Sequence, residues 1–259
     1  MENLVEKVLP IIRSTREITL PFYGKAESVA EKNGGTLDIV TKLDRDVEQY
    51  LREEFRKLDP SIGFVGEEFG GDRTVEKFWL VDPIDGTPHF VRGMPFCTTM
   101  VALIDKGEVV FSAVYSFAED IMYHAEKGKG AFANGKKISV SDRPLTHSVV
   151  ILETRLEKPA NREIRDKLHG KCWLMQIACA GYELALVATG RIEGRIAADG
   201  FGKDYDYAPG SLLVQEAGGY VYNLGSDSYD YKNGNFIAGN KHLVEGLTEG
   251  LDAIFPVNQ

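Results

Sequence analysis

The stretch Trp79-Leu80-Val81-Asp82-Pro83-Ile84-Asp85-Gly86-Thr87 constrains this chain more than any other. An apolar, strand-like run ends in two aspartates three residues apart, and a Gly-Thr pair then leads into a segment able to start a helix. Two ionised carboxylates this close repel strongly unless something neutralises them. A divalent cation does so, and hard cations such as Mg²⁺ prefer carboxylate and carbonyl oxygens. Pro83 stiffens the run and supplies no N–H, which leaves carbonyls and carboxylates to converge on one point. Gly86 lets a backbone N–H approach a ligand closely, and a helix starting near Thr87 points free N–H groups at an anion. A metal beside an anion hole points to phosphate chemistry. The plain alternative is an Asp-Gly turn joining a strand to a helix, which needs no ligand.

The rest of the chain narrows the classes further. Its 259 residues suffice for one large or two modest domains, and 43% apolar with 27% charged residues is an ordinary globular composition. A formal net charge of -9 argues against nucleic acid or an anionic membrane as the main partner, since both call for a basic face. It does not exclude a phosphorylated substrate, because bound cations reverse the local sign of a carboxylate cluster. Cys97, Cys172 and Cys179 form no CxxC pair, are odd in number and sit among apolar or small residues, which fits buried free thiols in a reducing compartment. The N-terminus mixes charged and apolar residues unlike a signal peptide, and no apolar run approaches a membrane span. The expectation is a cytoplasmic protein.

Periodicity predicts the elements. Leu4, Val5, Val8, Ile11, Ile12, Ile18 and Phe22 share one face of a first helix that Gly24 stops. The polar, Gly-rich segment around Asn33-Gly34-Gly35 reads as a mobile loop, and Asp44 begins a second amphipathic helix through Val47, Tyr50, Leu51, Phe55 and Leu58. Strands follow at 62–65 and 78–81. Between Phe96 and Val140 four strands (98–104, 109–115, 121–125 and 137–140) are separated by turn signals, and predict an antiparallel sheet under the first two helices. After Arg143-Pro144 strands at 149–152, 173–177 and 195–198 alternate with helices near 160–169, 180–189 and 206–217. The predicted fold class is α/β, an α+β layered sandwich of helix pairs and sheets. A boundary near 145 would divide it into an N-terminal α+β subdomain (1–145) and a C-terminal α/β subdomain (146–259).

Four acidic patches fall at element ends, where sites are usually built: Asp38 with Asp44; Glu67 with Glu68; Asp82 with Asp85; and Asp199, Asp204 and Asp206. The segments Gly66-Glu67-Glu68, Asp82-Pro83-Ile84-Asp85-Gly86-Thr87 and Asp206-Tyr207-Ala208-Pro209-Gly210, followed by Glu216-Ala217-Gly218-Gly219, resemble the motifs of the inositol monophosphatase family. This family belongs to the Mg²⁺-dependent, lithium-sensitive phosphatase superfamily that also includes fructose-1,6-bisphosphatase. Val114-Tyr115-Ser116 with Glu119-Asp120, and Gly128-Lys129-Gly130-Ala131-Phe132 with Asn134-Gly135, extend the resemblance through the central hairpins.

The resemblance implies a role for each position. Glu67, Asp82 and the Ile84 carbonyl would hold a first Mg²⁺; Asp82, Asp85 and Asp206 a second; Glu67 with waters a third, completed by a loop carrying Asp38. The Gly86 and Thr87 N–H groups would bind phosphate oxygens. Asp44 would accept a hydrogen bond from the Thr87 hydroxyl and so orient it toward the attacking water. Asp199, with Ala180 at a helix start beside it, would face the substrate's hydroxyls together with Asp85 and Asp206. It also implies a small phosphorylated polyol as substrate and a homodimer.

These roles make physical sense. A phosphate monoester is a dianion, and two divalent cations about 4 Å apart can clamp the attacking and leaving oxygens while making hydroxide available near neutral pH. His89, His124, His147, His169 and His242 are scattered without HxH or HExxH spacing, which favours an oxygen-only site over zinc. Each residue also has a plainer reading. Asp44 can cap the second helix, Glu68 can back the ligands or be solvated, Asp204 can cap the helix carrying Asp206, Lys32 and Lys203 can be solvated lysines, and His89 can be a surface residue after Pro88. Tyr205 stands where the family often has Trp, and Pro88-His89-Phe90 where Asn-Phe is frequent; both leave the ligands intact. Asp199 is shorter than the Glu usual at its position, so substrate identity is the open part. Myo-inositol 1-phosphate leads, with histidinol phosphate, fructose 1,6-bisphosphate and 3'-phosphoadenosine 5'-phosphate as alternatives. A non-catalytic regulatory relative would carry a damaged ligand set, whereas Glu67, Asp82, Asp85, Thr87 and Asp206 are all present.

Overall fold

A computed structural model describes residues 2–25, 28–31 and 39–257, with side chains from 4–25 and 42–257. Asp38, Lys32 and the Gly34-Gly35 loop lie outside the described residues. Along the chain the elements are α1 (Glu2–Thr19), β1 (Ser28–Glu31), β2 (Ile39–Thr41), α2 (Lys42–Leu58), β3 (Gly63–Gly66), β4 (Lys77–Asp85), α3 (Thr87–Phe90), β5 (Thr98–Asp105), β6 (Glu108–Ser116), β7 (Ile121–Glu126), β8 (Gly130–Ala133), β9 (Lys136–Lys137), β10 (Val149–Thr154), α4 (Pro159–His169), β11 (Trp173–Met175), α5 (Ala180–Ala188), β12 (Gly194–Ala198), α6 (Asp204–Glu216), β13 (Tyr220–Asn223), β14 (Phe236–Gly239) and α7 (Lys241–Thr248).

The apolar stripe of α2 (Leu43, Val47, Leu51 and Phe55) and Val8 and Ile12 of α1 bury against Trp79, Val81, Val101, Leu103 and Phe111 on one face of a seven-stranded sheet, ordered β3-β4-β5-β6-β7-β8-β9. Each such large side chain contributes roughly 1.5–3 kcal/mol by leaving water. That sheet is antiparallel except for the parallel β3–β4 pair. Its other face (Met100, Val114, Tyr123 and Ala125) packs on α5 and α6. Below these helices lies a five-stranded mixed sheet, ordered β11-β10-β12-β14-β13, whose far side is covered through Leu168 of α4 and Leu243, Val244 and Leu247 of α7. The layers therefore run helix pair, sheet, helix pair, sheet, helix pair.

Several sequence expectations change, and the strand expected over 137–140 shrinks to β9, Lys136–Lys137. Phe22 leaves the α1 face: the helix ends at Thr19, Leu20–Phe22 form one 3₁₀ turn, and Phe22 is exposed. The strand expected over 78–81 continues through Pro83 to Asp85, because the proline's missing N–H falls where the β4–β5 ladder is already broken by a bulge. Past Gly219 the chain adds β13, β14 and α7, which complete the second sheet and its cover.

Candidate active site

The bulge decides where the two aspartates point. Asp82 pairs with Met100 and Asp85 with Thr98, so Pro83 and Ile84 together oppose Thr99 alone. In a regular strand residues three apart face opposite sides of the sheet. The extra residue restores the parity, and both carboxylates reach one point. There Asp206, from the first turn of α6, joins them: one oxygen of each of the three residues lies within 4.8 Å of the others. Glu67, just after β3, comes from a third segment and lies within hydrogen-bond reach of the Asp82 side chain. Its own N–H is fixed to the Val81 carbonyl at 3.0 Å.

The electrostatics of the cluster call for a positive counter-charge. Burial first, and then the Glu67, Asp206 and Asp85 charges, push Asp82 well above the usual carboxylate range. Burial and the Asp85 and Glu67 charges do the same to Asp206. Burial raises Asp85 to about 6, against the pull of the Gly181 N–H and the Cys179 thiol. Asp82 Oδ1 is fully buried and has no hydrogen-bond partner among the described residues. Buried polar atoms in native proteins are nearly always satisfied. An all-oxygen donor set with one orphaned acceptor fits a hard divalent cation.

The surroundings hold these groups in place. Asp85 Oδ2 accepts from Gly181 N at 2.7 Å, Cys179 Sγ at 3.1 Å and Thr98 Oγ1 at 3.3 Å. Gly181 permits this approach, because a Cβ there would fall 2.7 Å from Met100 Sδ. Ala180, the first residue of α5, is buried beside it. Gly86 adopts φ +82° and starts α3 at Thr87. A side chain there would be strained by that φ, and its Cβ would sit 3.2 Å from Cys179 Sγ. The Thr87 hydroxyl faces two acceptors, the Ile84 carbonyl at 2.9 Å and Asp44 Oδ1 at 3.2 Å.

Several sequence readings are revised. Asp44 is the third residue of α2, 1% exposed, and its carboxylate turns to Thr87, so it is not the helix cap. Asp204 is taken by Arg73, and the N-terminal turn of α6 is instead closed by Asp206, which accepts from Lys203 N. His89 is no surface residue: its Nε2 meets the Ile177 carbonyl and its ring stands edge-on to Phe96. Glu68 is not solvated but lies 3.7 Å from Arg45 with its side chain 4% exposed. Glu216 accepts from Gly128 N and Gly130 N at 2.7 and 2.8 Å, so this part of the motif ties α6 to the β7–β8 turn rather than to the acids. Asp199 stands at φ +58°, with its carboxylate engaged by Lys158 at 2.6 Å and Asn161 at 3.0 Å.

Other residues escaped the sequence reading. Glu48, fully buried in α2, accepts from Glu68 N at 2.6 Å and Phe69 N at 3.2 Å and so fixes the turn that presents Glu67. Its signal was legible: one helical turn after Asp44, it lies on the same face as Val47 and Leu51. Arg195 sits among apolar residues in a fully buried strand and had a comparable signal. Beside α6, a cavity of about 420 Å³ is lined by Arg73, Gly202, Lys203, Asp204, Tyr205 and Lys232.

The model of the inositol monophosphatase family matches residues 2–254. The inositol-1-monophosphatase of Rhizobium meliloti (strain 1021) is 32% identical over 243 residues, 90% of each chain. A Thermotoga maritima protein named fructose-1,6-bisphosphatase/inositol-1-monophosphatase is 30% identical over 244 residues, covering 90% of this chain and 89% of the other. Among solved structures, an IMPase of Thermotoga maritima superposes with a TM-score of 0.84 at 28% identity, over 95% of this chain and 94% of that one.

Proposed function

Because this chain belongs to the inositol monophosphatase family, we propose that its acid cluster binds Mg²⁺ and that its substrate is a small phosphorylated polyol, myo-inositol 1-phosphate foremost. The chain is a phosphoric monoester hydrolase of a metal-dependent family. The observation that carries the metal reading is the convergence of Asp82, Asp85 and Asp206 within 4.8 Å around a buried, partnerless Asp82 oxygen. Asp82, Asp85 and Asp206, with Glu67 and the Ile84 carbonyl, are the groups that would hold two to three cations. When bound, the cations supply positive charge against the phosphate dianion and acidify water.

The chain's own residues do the rest. Gly86 and Thr87 present N–H groups to phosphate oxygens at the start of α3. The Thr87 hydroxyl donates to the buried Asp44 carboxylate or the Ile84 carbonyl, which leaves its lone pairs able to accept from a water molecule and align it. Asp85 and Asp206 border the substrate side. Asp199 reaches the substrate only by sharing its carboxylate with Lys158 and Asn161. The family premise also supports lithium inhibition, a homodimer and a division into subdomains at about residue 145. No helix among the described residues is long and apolar enough to cross a membrane. A cytoplasmic location stays part of the proposal.

The test is phosphate release from inositol 1-phosphate, fructose 1,6-bisphosphate, histidinol phosphate and 3'-phosphoadenosine 5'-phosphate. Each is assayed in EDTA and after Mg²⁺ is restored. Inositol 1-phosphate should be cleaved with the highest kcat/KM, and only with the metal. Full turnover in excess chelator would refute the metal reading; a higher kcat/KM for another substrate would replace the polyol monophosphate.

A further inference from the structure

The two ends of the acid cluster lead into one buried ion chain. Asp85 is held by the Gly181 N–H at the start of α5. Glu183, in the same first turn, accepts from Ala178 N at 2.8 Å with one oxygen and from Arg195 Nε at 2.7 Å with the other. Arg195, the second residue of β12, is 1% exposed and lies over the Tyr207 and Phe236 rings at 4.8 and 5.4 Å. Its Nη2 donates to Glu153 on β10. Glu153 Oε1 in turn accepts the N–H groups of Phe201 and Gly202, and Tyr207 donates its hydroxyl to Glu153 while accepting from Gly202 N at 2.8 Å. The next residue, Lys203, donates its N–H to Asp206. An unbroken run of hydrogen bonds and short backbone steps thus joins the carboxylate supplied by β4 to the carboxylate supplied by α6.

Burying two carboxylates and a guanidinium is expensive, and apolar residues of the same volume are often at least as stable. What an apolar filling lacks is direction. A planar guanidinium grips two carboxylates at set angles, as neither a lysine nor a leucine can. We infer that Arg195 is a positioning residue of the metal site: through Glu183 and Glu153 it fixes the Asp85 and Asp206 carboxylates relative to each other. This rests on the reading of the acid cluster as a metal site.

The test is Mn²⁺ binding by titration calorimetry to the purified, metal-stripped protein, alongside its thermal unfolding. Arg195→Lys keeps the charge and most of the stem but loses the fork. Its Mn²⁺ affinity should fall about tenfold or more, as expected when groups that orient metal ligands are lost. The metal concentration needed for half-maximal activity should rise in step. A folded Arg195→Lys with wild-type Mn²⁺ affinity overturns the inference, even if its Tm is lower, since lost packing alone lowers Tm without touching affinity. If Arg195→Lys does not fold, Tyr207→Phe decides: it removes only the hydroxyl that links Glu153 to Gly202, and a smaller loss of affinity is expected, whereas an unchanged one refutes. Absence of Mn²⁺ binding in the wild type is a different failure, that of the metal reading itself.

Discussion

Replacing Asp85 by Asn should stabilise the protein in chelator and destabilise it relative to wild type in Mg²⁺. Asp85 is 8% exposed, and its carboxyl is raised from 3.8 to about 6 in the folded chain. Between those values the native state holds a proton that the unfolded state has already released. Stability therefore falls as pH rises across that window and stays reduced above it. A shift of about 2 units corresponds to roughly 3 kcal/mol of native-state penalty at pH 7.5. Asn keeps an oxygen for the Gly181 N–H and removes the charge, and its new amide has carboxylate acceptors within 4.8 Å. In EDTA the variant should gain up to roughly 3 kcal/mol at pH 7.5, or about 6–12 °C in Tm for a chain of this size. Near pH 4 the gain should vanish, because wild-type Asp85 is then protonated when folded. In saturating Mg²⁺ the order should invert, since ligand binding stabilises only the chain that binds. Urea unfolding at several pH values, with and without metal, measures all three. A variant no more stable than wild type in EDTA at pH 7.5, or a gain independent of pH, would refute the argument.

Thr87→Ala and Asp44→Asn should each slow turnover at saturating metal, and the double variant should be little worse than either, because residues that act as one unit are non-additive. Steady-state kcat for the four proteins checks this; multiplicative losses would reduce Asp44 to a structural acid. Asp199→Ala should raise KM for inositol phosphate more than for a plain aryl phosphate, since a site built to hydrogen-bond hydroxyls discriminates by them. Equal effects on both substrates would leave Asp199 to its Lys158 and Asn161 partners alone.

Local sequence carried those parts whose physics is local. The amphipathic stripes of α1 and α2, the turn-punctuated central strands and the Asp82–Thr87 run all declare themselves within a few residues. Long-range partnerships did not. The α1 stripe extends to Phe22 on paper, but the helix stops at Thr19. Asp204 looks like a cap until Arg73, far upstream, takes its carboxylate. Glu48 and Arg195 each break an apolar pattern, which marks them as unusual without saying what they bind. Asp199 looks like a carboxylate facing the substrate's hydroxyls, and only the folded chain brings Lys158 and Asn161 of the α4 region against it.

The bulge between Asp82 and Asp85 makes length itself part of the site's code. A strand counts in twos, and this one is made to count to three. Its Pro83 carbonyl is taken by the Thr99 hydroxyl at 2.9 Å, and its Ile84 carbonyl is turned toward Thr87. Deleting either intervening residue would restore the ladder. It would leave two aspartates on one face but forfeit a turned-out carbonyl, while inserting one beside a retained bulge would put the two aspartates on opposite faces and drive a carboxylate into the opposite core. Substitution at Pro83 or Ile84 is thus a question of fit, whereas insertion or deletion there is a question of phase.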